Sequence, residues 1–322
     1  MRRTRIAFLS TLGGLLLAAC GRGERVTAPT VVVSYAGSLA HPFNLALAAY
    51  TKRTGVRVVT QSAGSLEAAR RITELGDVPD VIALADEEVF TTLLVPAHVE
   101  SYTVFARNRM VIAYTPSSRH AAELDSANWW RVLSRDDVEI GRSDPNLDPN
   151  GYRAILLLRL AEQAYAHPGL ERDVLARAPA RNVRPKSADL VALLQTGTLD
   201  YAFAYESVAR ASGLRWLRLP STIDLGDDAH AADYARVSLR VPGAVRGDSV
   251  TVTGAPIHFA LAVPRRAPHA VQGERLRDFL LSPAGRKLLT DGGLDVVVAP
   301  STEARDELPH DARSPSDRVA AP

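Results

Sequence analysis

A single cysteine in 322 residues excludes a disulfide framework and any zinc site built from cysteine pairs. Aromatic residues make up only 6% of the chain, which argues against the stacking surfaces that bind bases or sugars. None of the histidines stands in an HExxH or another tight metal-ligand spacing. Ser38 lies in no GxSxG elbow, and no companion His and Asp supports a hydrolytic triad. The apolar run at residues 6–19 is too short to cross a bilayer comfortably. Nor is charge of one sign in excess, with 38 basic against 36 acidic residues. What remains is the composition of a soluble globular protein, long enough that two lobes are the natural expectation.

The apolar run follows Arg2, Arg3 and Arg5 and ends at Cys20, the charged-then-apolar order of a secretory signal. "LLAAC" resembles the lipobox of bacterial lipoproteins, which implies cleavage before Cys20 and a lipid on its sulfur. Cleavage lowers the basic count by three to 35 against 36 acidic residues, so the formal charge moves from +2 to −1. The apparent basicity then belongs partly to the signal, and a nucleic-acid partner loses its compositional support. An uncleaved signal anchor with a chance cysteine is the alternative.

Residues 21–30 read as a polar tether and residues 301–322, without apolar periodicity, as a disordered tail. Between them strands and helices alternate, which predicts an α/β fold with mainly parallel sheets. "VVVSYAGSL" and "VRVVTQSAGSL" each run a β-branched strand into Ala-Gly-Ser and a helix. Leu39, Phe43, Leu47 and Tyr50 share one face of the first helix, and Leu66, Ala69, Ile72 and Leu75 share one face of the second. Ser38 and Ser65 fall where an N-cap belongs. Either they cap two helices and do nothing more, or two neighbouring βα turns aim N–H groups, hydroxyls and positive helix ends at one anion.

"RNRMVIAYTP" and "APIHFALAVP" are strand-like runs stopped by proline, and the segment between them has its own βα pattern. They read as two crossing strands around an inserted lobe. The expected division is a signal peptide at 1–19, a lipidated tether at 20–30, lobe 1 at 31–115, lobe 2 at 116–255 and a return to lobe 1 at 256–300. Ser282 and Pro283 suit the cap and first position of a late helix.

Lobe 2 carries two acidic features. "IGRSDPNLDPNGYR" is a strand, a turn and a helix start holding Asp144 and Asp148, each of which is either an Asx-turn or capping residue or a ligand. "LDYAFAYESV" alternates like a strand and delivers Glu206 at its end. A cleft between lobes sets these carboxylates opposite Ser38 and Ser65. Donors invite an oxyanion, whereas a carboxylate repels one by about 4 kcal/mol at 4 Å and an effective dielectric of 20. Either the acids are protonated, or they bind an electropositive centre inside the anion, as molybdenum(VI) and tungsten(VI) allow and sulfur does not.

"YAGSL", "SAGSLEAARRITELGDVPDVIALAD", "GRSDPNLDPNGYR", "RPKSADLVALLQTGTLDYAFAYESVA", "LRLPSTIDLG" and "GAPIHFALAVP" together resemble the extracytoplasmic tungstate/molybdate-binding proteins of ABC transporters, in their archaeal-type branch. The likeness implies a two-lobed periplasmic-binding-protein fold of type II, with two strands crossing at a hinge. It implies an oxyanion held by Gly37, Ser38 and Ser65, with Asp148 and Glu206 completing the coordination of the metal atom and Pro149 and Asn150 beside it. It also implies a monomer outside the cytoplasm, held to the membrane through Cys20, that delivers its ion to a permease with a cytoplasmic ATPase and needs no cofactor. Two positions depart from the family pattern: Asn150 replaces a cysteine, leaving its backbone N–H to offer, and Phe259 stands where tyrosine is common. Arg153 reads as a partner for Asp144 or Asp148 or as an exposed pair, His41 as a surface residue, and "NWW" at 128–130 as packing. Competing readings are a sulfate or phosphate receptor, a secreted metal-dependent hydrolase using Asp148 and Glu206, and an interaction module without a small ligand.

Overall fold

A computed structural model describes residues 30–243 and 247–304. Residues 1–29, which hold the expected signal peptide and Cys20, and residues 305–322 lie outside them. The described residues form thirteen strands: β1 (Thr30–Ala36), β2 (Arg57–Ala63), β3 (Val81–Leu84), β4 (Ser101–Asn108), β5 (Met110–Tyr114), β6 (Ile140–Ser143), β7 (Val183–Arg184), β8 (Tyr201–Tyr205), β9 (Arg215–Arg218), β10 (Ser238–Pro242), β11 (Ser249–Thr253), β12 (Ile257–Ala262) and β13 (Asp295–Ala304). Six form the sheet of lobe 1 in the order β13-β4-β12-β3-β1-β2, and five form that of lobe 2 in the order β7-β6-β8-β5-β9. β10 and β11 make a separate hairpin. Among the described residues no helix is long and apolar enough to cross a membrane.

Both sheets are mixed. β1 pairs in parallel with β2 and β3, and β6 with β7 and β8, as βα repeats demand. The chain's return through β12 and its crossing through β5 add antiparallel pairings to each sheet. The first crossing falls earlier than expected: β5 already belongs to lobe 2, so the chain changes sheets at Arg109. Ser301–Ala304, expected in the tail, extend β13 along β4.

The apolar periodicity of helix Ala40–Thr54 is realised, with Phe43, Leu47 and Tyr50 buried under the sheet together with Leu39. Helix Ser65–Leu75 buries Leu66, Ala68, Ala69 and Ile72, but Leu75 is 74% exposed. At 100° per residue, nine residues separate Leu75 from Leu66 by half a turn. Ser282 caps helix Pro283–Asp291 by accepting the Gly285 N–H at 3.2 Å, with Pro283 in the first turn.

Candidate functional site

Ala36 and Ala63 are register partners on β1 and β2. The two Gly-Ser turns therefore leave the sheet side by side at its carboxyl edge. Gly37–Leu39 is a 3-10 turn, and Ser65 is the first residue of its helix, with Gly64 at the capping position. Neither serine caps. Ser65 Oγ accepts the Ala85 N–H at 3.0 Å. Ser38 Oγ is buried without a hydrogen-bond partner. An unpartnered buried hydroxyl costs about 1–3 kcal/mol, so the Ser38 hydroxyl marks a place where a ligand's acceptor would be stabilised.

Lobe 2 closes over these turns. A Cβ on Gly64 would stand 2.2 Å from Leu147 O and 3.2 Å from the Asp148 Cα. A Cβ on Gly37 would stand 3.1 Å from Lys186 Cδ and 3.4 Å from the Ala188 Cβ. The helix start behind Ser65 is not open to an anion, because the Leu66 and Glu67 N–H groups both donate to Leu147 O, at 3.1 and 3.2 Å.

The two acids of the turn divide its work. Asp144 Oδ1 accepts the Asn146 N–H at 2.8 Å, an Asx-turn that shapes the loop. Asp148 is 3% exposed and caps helix Pro149–Ala164, which Pro149 opens. Its Oδ1 accepts the Asn150 N–H at 3.4 Å and its Oδ2 accepts the Ser187 N–H at 2.7 Å. Burial pushes the Asp148 carboxyl above its ordinary value, against the hydrogen bonds from Ser187, Ser143 and Asn150. Asn150 does not offer its N–H to a ligand, since that group serves Asp148. Its amide turns inward, accepting from the Ser143 hydroxyl at 3.3 Å and reaching Met110 Sδ at 3.6 Å.

Glu206 lines a cavity to which Ser38, Ser65 and Asp148 do not contribute. It ends β8 and starts a short helix, with its carboxylate in a cavity of about 320 Å³ at the hinge. Arg210 donates to Oε1 at 2.5 Å, Arg218 to both oxygens at 2.9 Å, and Arg109 Nε stands 3.3 Å from Oε2. A carboxylate held by three guanidinium groups has to leave them to reach any other electropositive centre.

Arg153 is neither exposed nor paired with Asp144 or Asp148. It is 3% exposed and crosses between the lobes to Asp86, with Nη2 at 2.9 Å from Oδ2. Its Nη1 donates to Ala85 O at 2.6 Å and to the Tyr205 hydroxyl at 2.8 Å. The Tyr152 hydroxyl donates to Asp86 as well. Phe259 packs edge-on against the Tyr205 ring at 5.5 Å, an apolar neighbour to this network. Burial and the Asp86 carboxylate push Glu88 beside it up to about 8, while Arg153 pulls the other way.

His258 spans the lobes at the hinge. Its Nδ1 stands 2.6 Å from Glu87 Oε1 and its Nε2 2.9 Å from Asp228 Oδ1. Ionised carboxylates only accept, so both ring nitrogens carry protons there. Burial works against that charge, but Glu87 and Asp228 outweigh it and raise the pKa. His41 is exposed, and Trp129 and Trp130 pack on Tyr165. Among the described residues no three His, Cys, Asp or Glu side chains gather as a metal-binding group.

The sequence reading missed Asp86, Gly64 and Ser187, and it gave Arg153 other partners than the Asp86 it meets. Asp86 carried a usable signal: it follows "VIAL" at a strand's carboxyl end, the position that singled out Glu206. Ser187 acts through its backbone, which leaves no side-chain signature.

Two α/β lobes with a buried junction at the strand ends make the two-lobed architecture of periplasmic binding proteins. The chain belongs to the family of bacterial extracellular solute-binding proteins, which it matches over residues 31–295. It is a binding protein and not an enzyme, and its family works outside the cytoplasm. An uncharacterised solute-binding protein of Petrotoga mobilis is 39% identical over 298 residues, covering 92% of this chain and 91% of that one. The molybdate/tungstate-binding protein WtpA of Pyrococcus abyssi is 32% identical over 316 residues, covering 89% and 91%. The periplasmic molybdate-binding protein of Azotobacter vinelandii shares the fold with a TM-score of 0.58 at 14% identity, over 84% of this chain and 99% of that one.

Proposed function

We propose that the protein captures molybdate or tungstate in the interlobe junction and, anchored through a lipid on Cys20, delivers it to a membrane permease driven by a cytoplasmic ATPase. The observation that carries this reading is the unpartnered hydroxyl of Ser38, in one of two in-register Gly-Ser turns, the other of which meets the Asp148 segment at Gly64. An oxyanion supplies the acceptor that this hydroxyl lacks. A metal(VI) centre resolves the conflict with Asp148, because its carboxylate then meets positive charge. Relatives named for molybdate and tungstate support the choice of anion.

Asp148 is the carboxylate assigned to the metal atom. Glu206 has another job in this reading, holding Arg109, Arg210 and Arg218 at the hinge. The test is titration of the purified protein with tungstate, molybdate, sulfate and phosphate by calorimetry, followed by X-ray absorption on the bound metal. About five oxygen neighbours are expected, four of the anion and one of Asp148. Four neighbours, or sulfate bound as tightly as tungstate, would overturn the coordination by Asp148. Six would return Glu206 to the ligand set.

A further inference from the structure

We propose that Arg70, on helix Ser65–Leu75 of lobe 1, is the positioning residue that latches lobe 2 in its closed place and so sets how long the solute stays bound. The choice of solute rests on the oxyanion reading; the latch itself does not.

Arg70 Nη1 donates to Asn146 O at 2.8 Å, and Nη2 donates to Pro242 O at 2.9 Å. One turn earlier the Leu66 and Glu67 N–H groups donate to Leu147 O. One lobe 1 helix thus presents four donors to three carbonyls of lobe 2, drawn from two segments far apart in sequence. The Arg70 side chain is 15% exposed, and its nearest acid, Glu74, stands off at 4.0 Å. Asn146 and Leu147 immediately precede Asp148, so the grip also fixes the carboxylate assigned to the solute.

Gly64 shows that this contact is built for approach between lobes. Its φ of −68° and ψ of 151° suit any residue. A Cβ there would nevertheless lie 2.2 Å from Leu147 O and 2.7 Å from its carbonyl carbon. Alanine at this position leaves lobe 1 unstrained and collides only when lobe 2 comes down. Because the donors read peptide carbonyls and not the solute, the latch acts alike on every anion the site accepts.

The test compares the wild type with Arg70→Met, Arg70→Lys and Gly64→Ala. Tungstate and molybdate dissociation are followed by stopped-flow chase, and solution scattering is recorded with saturating tungstate. Arg70→Met is expected to raise both dissociation rates about 10- to 100-fold by the same factor, with association changed less than about threefold. Arg70→Lys recovers part of the loss, and Gly64→Ala stays expanded with tungstate present. Unchanged dissociation in Arg70→Met, or a compact Gly64→Ala complex, overturns the latch. Amide exchange of Leu66 and Glu67 in the ligand-free proteins reads the latch independently. Faster exchange in Arg70→Met and Gly64→Ala supports it and equal exchange overturns it, whereas absence of tungstate and molybdate binding by the wild type overturns the oxyanion reading alone.

Discussion

Replacing Arg153 by methionine tests whether the lobes meet in solution as they do in the structure. The substitution keeps an unbranched apolar stem and removes the guanidinium. Asp86, 4% exposed, then keeps the Tyr152 hydroxyl and the Glu88 N–H as partners but loses its counter-charge. Removing one member of a buried ion pair typically costs about 3–5 kcal/mol, because the other charge is left in a medium that solvates it poorly. The bonds to Ala85 O and the Tyr205 hydroxyl go as well. For a chain of this size, that loss lowers the melting temperature on the order of 10 °C. Calorimetry of the wild type, Arg153→Met, Asp86→Leu and the double variant measures it, with the double variant recovering most of the loss because no charge is stranded. The shift should persist at 1 M salt, where a buried pair is little screened. A cost below about 1 kcal/mol for Arg153→Met is the signature of a hydrated surface pair. It would refute the buried interlobe bridge.

Asp148→Ala is expected to abolish tungstate binding in calorimetry, whereas Glu206→Gln should leave measurable affinity, since the Glu206 carboxylate is held by arginines and not by the junction; equal losses would contradict that division. Glu88 makes folding stability pH-dependent: a folded-state pKa near 8 against about 4.5 unfolded means its stabilising effect is full below pH 4.5 and fades as pH rises through 8. Urea midpoints should therefore fall between pH 5 and pH 9 in the wild type, and Glu88→Gln should flatten that slope. Gly151→Ala should cost at least about 2 kcal/mol in urea denaturation, because a Cβ there meets Ser143 O at 2.4 Å inside the turn that carries Asp148.

The repeated strand–Gly–Ser pattern was readable because it is local: β-branched strands, a turn and a helix start follow one another within a few residues, and parallel pairing then places both turns at one edge. Asp148 was readable for the same reason, since "SDPNLDPNG" signals a turn into a helix. Glu206 was placed at the correct strand end, but the three arginines that hold it were not foreseen. A strand's end fixes where a residue emerges and says nothing of which arginines wait there. Arg210 stands one helical turn along from Glu206 and was within reach of spacing, but Arg109 sits in the link between β4 and β5 and Arg218 on β9. The Asp86–Arg153 bridge spans two lobes and was equally invisible to spacing. Leu75 failed on phase alone.

The grip of lobe 1 on lobe 2 divides the chain's tolerance to substitution unevenly. On one side the requirement is chemical: position 64 admits no side-chain carbon, and position 70 needs a long forked donor. On the other side only the peptide links at 146, 147 and 242 are grasped, and their side chains are free to drift so long as the backbone path holds. A saturation library scored for solute retention should therefore be steep at Gly64 and Arg70 and shallow at Asn146 and Leu147, although all four belong to one interface.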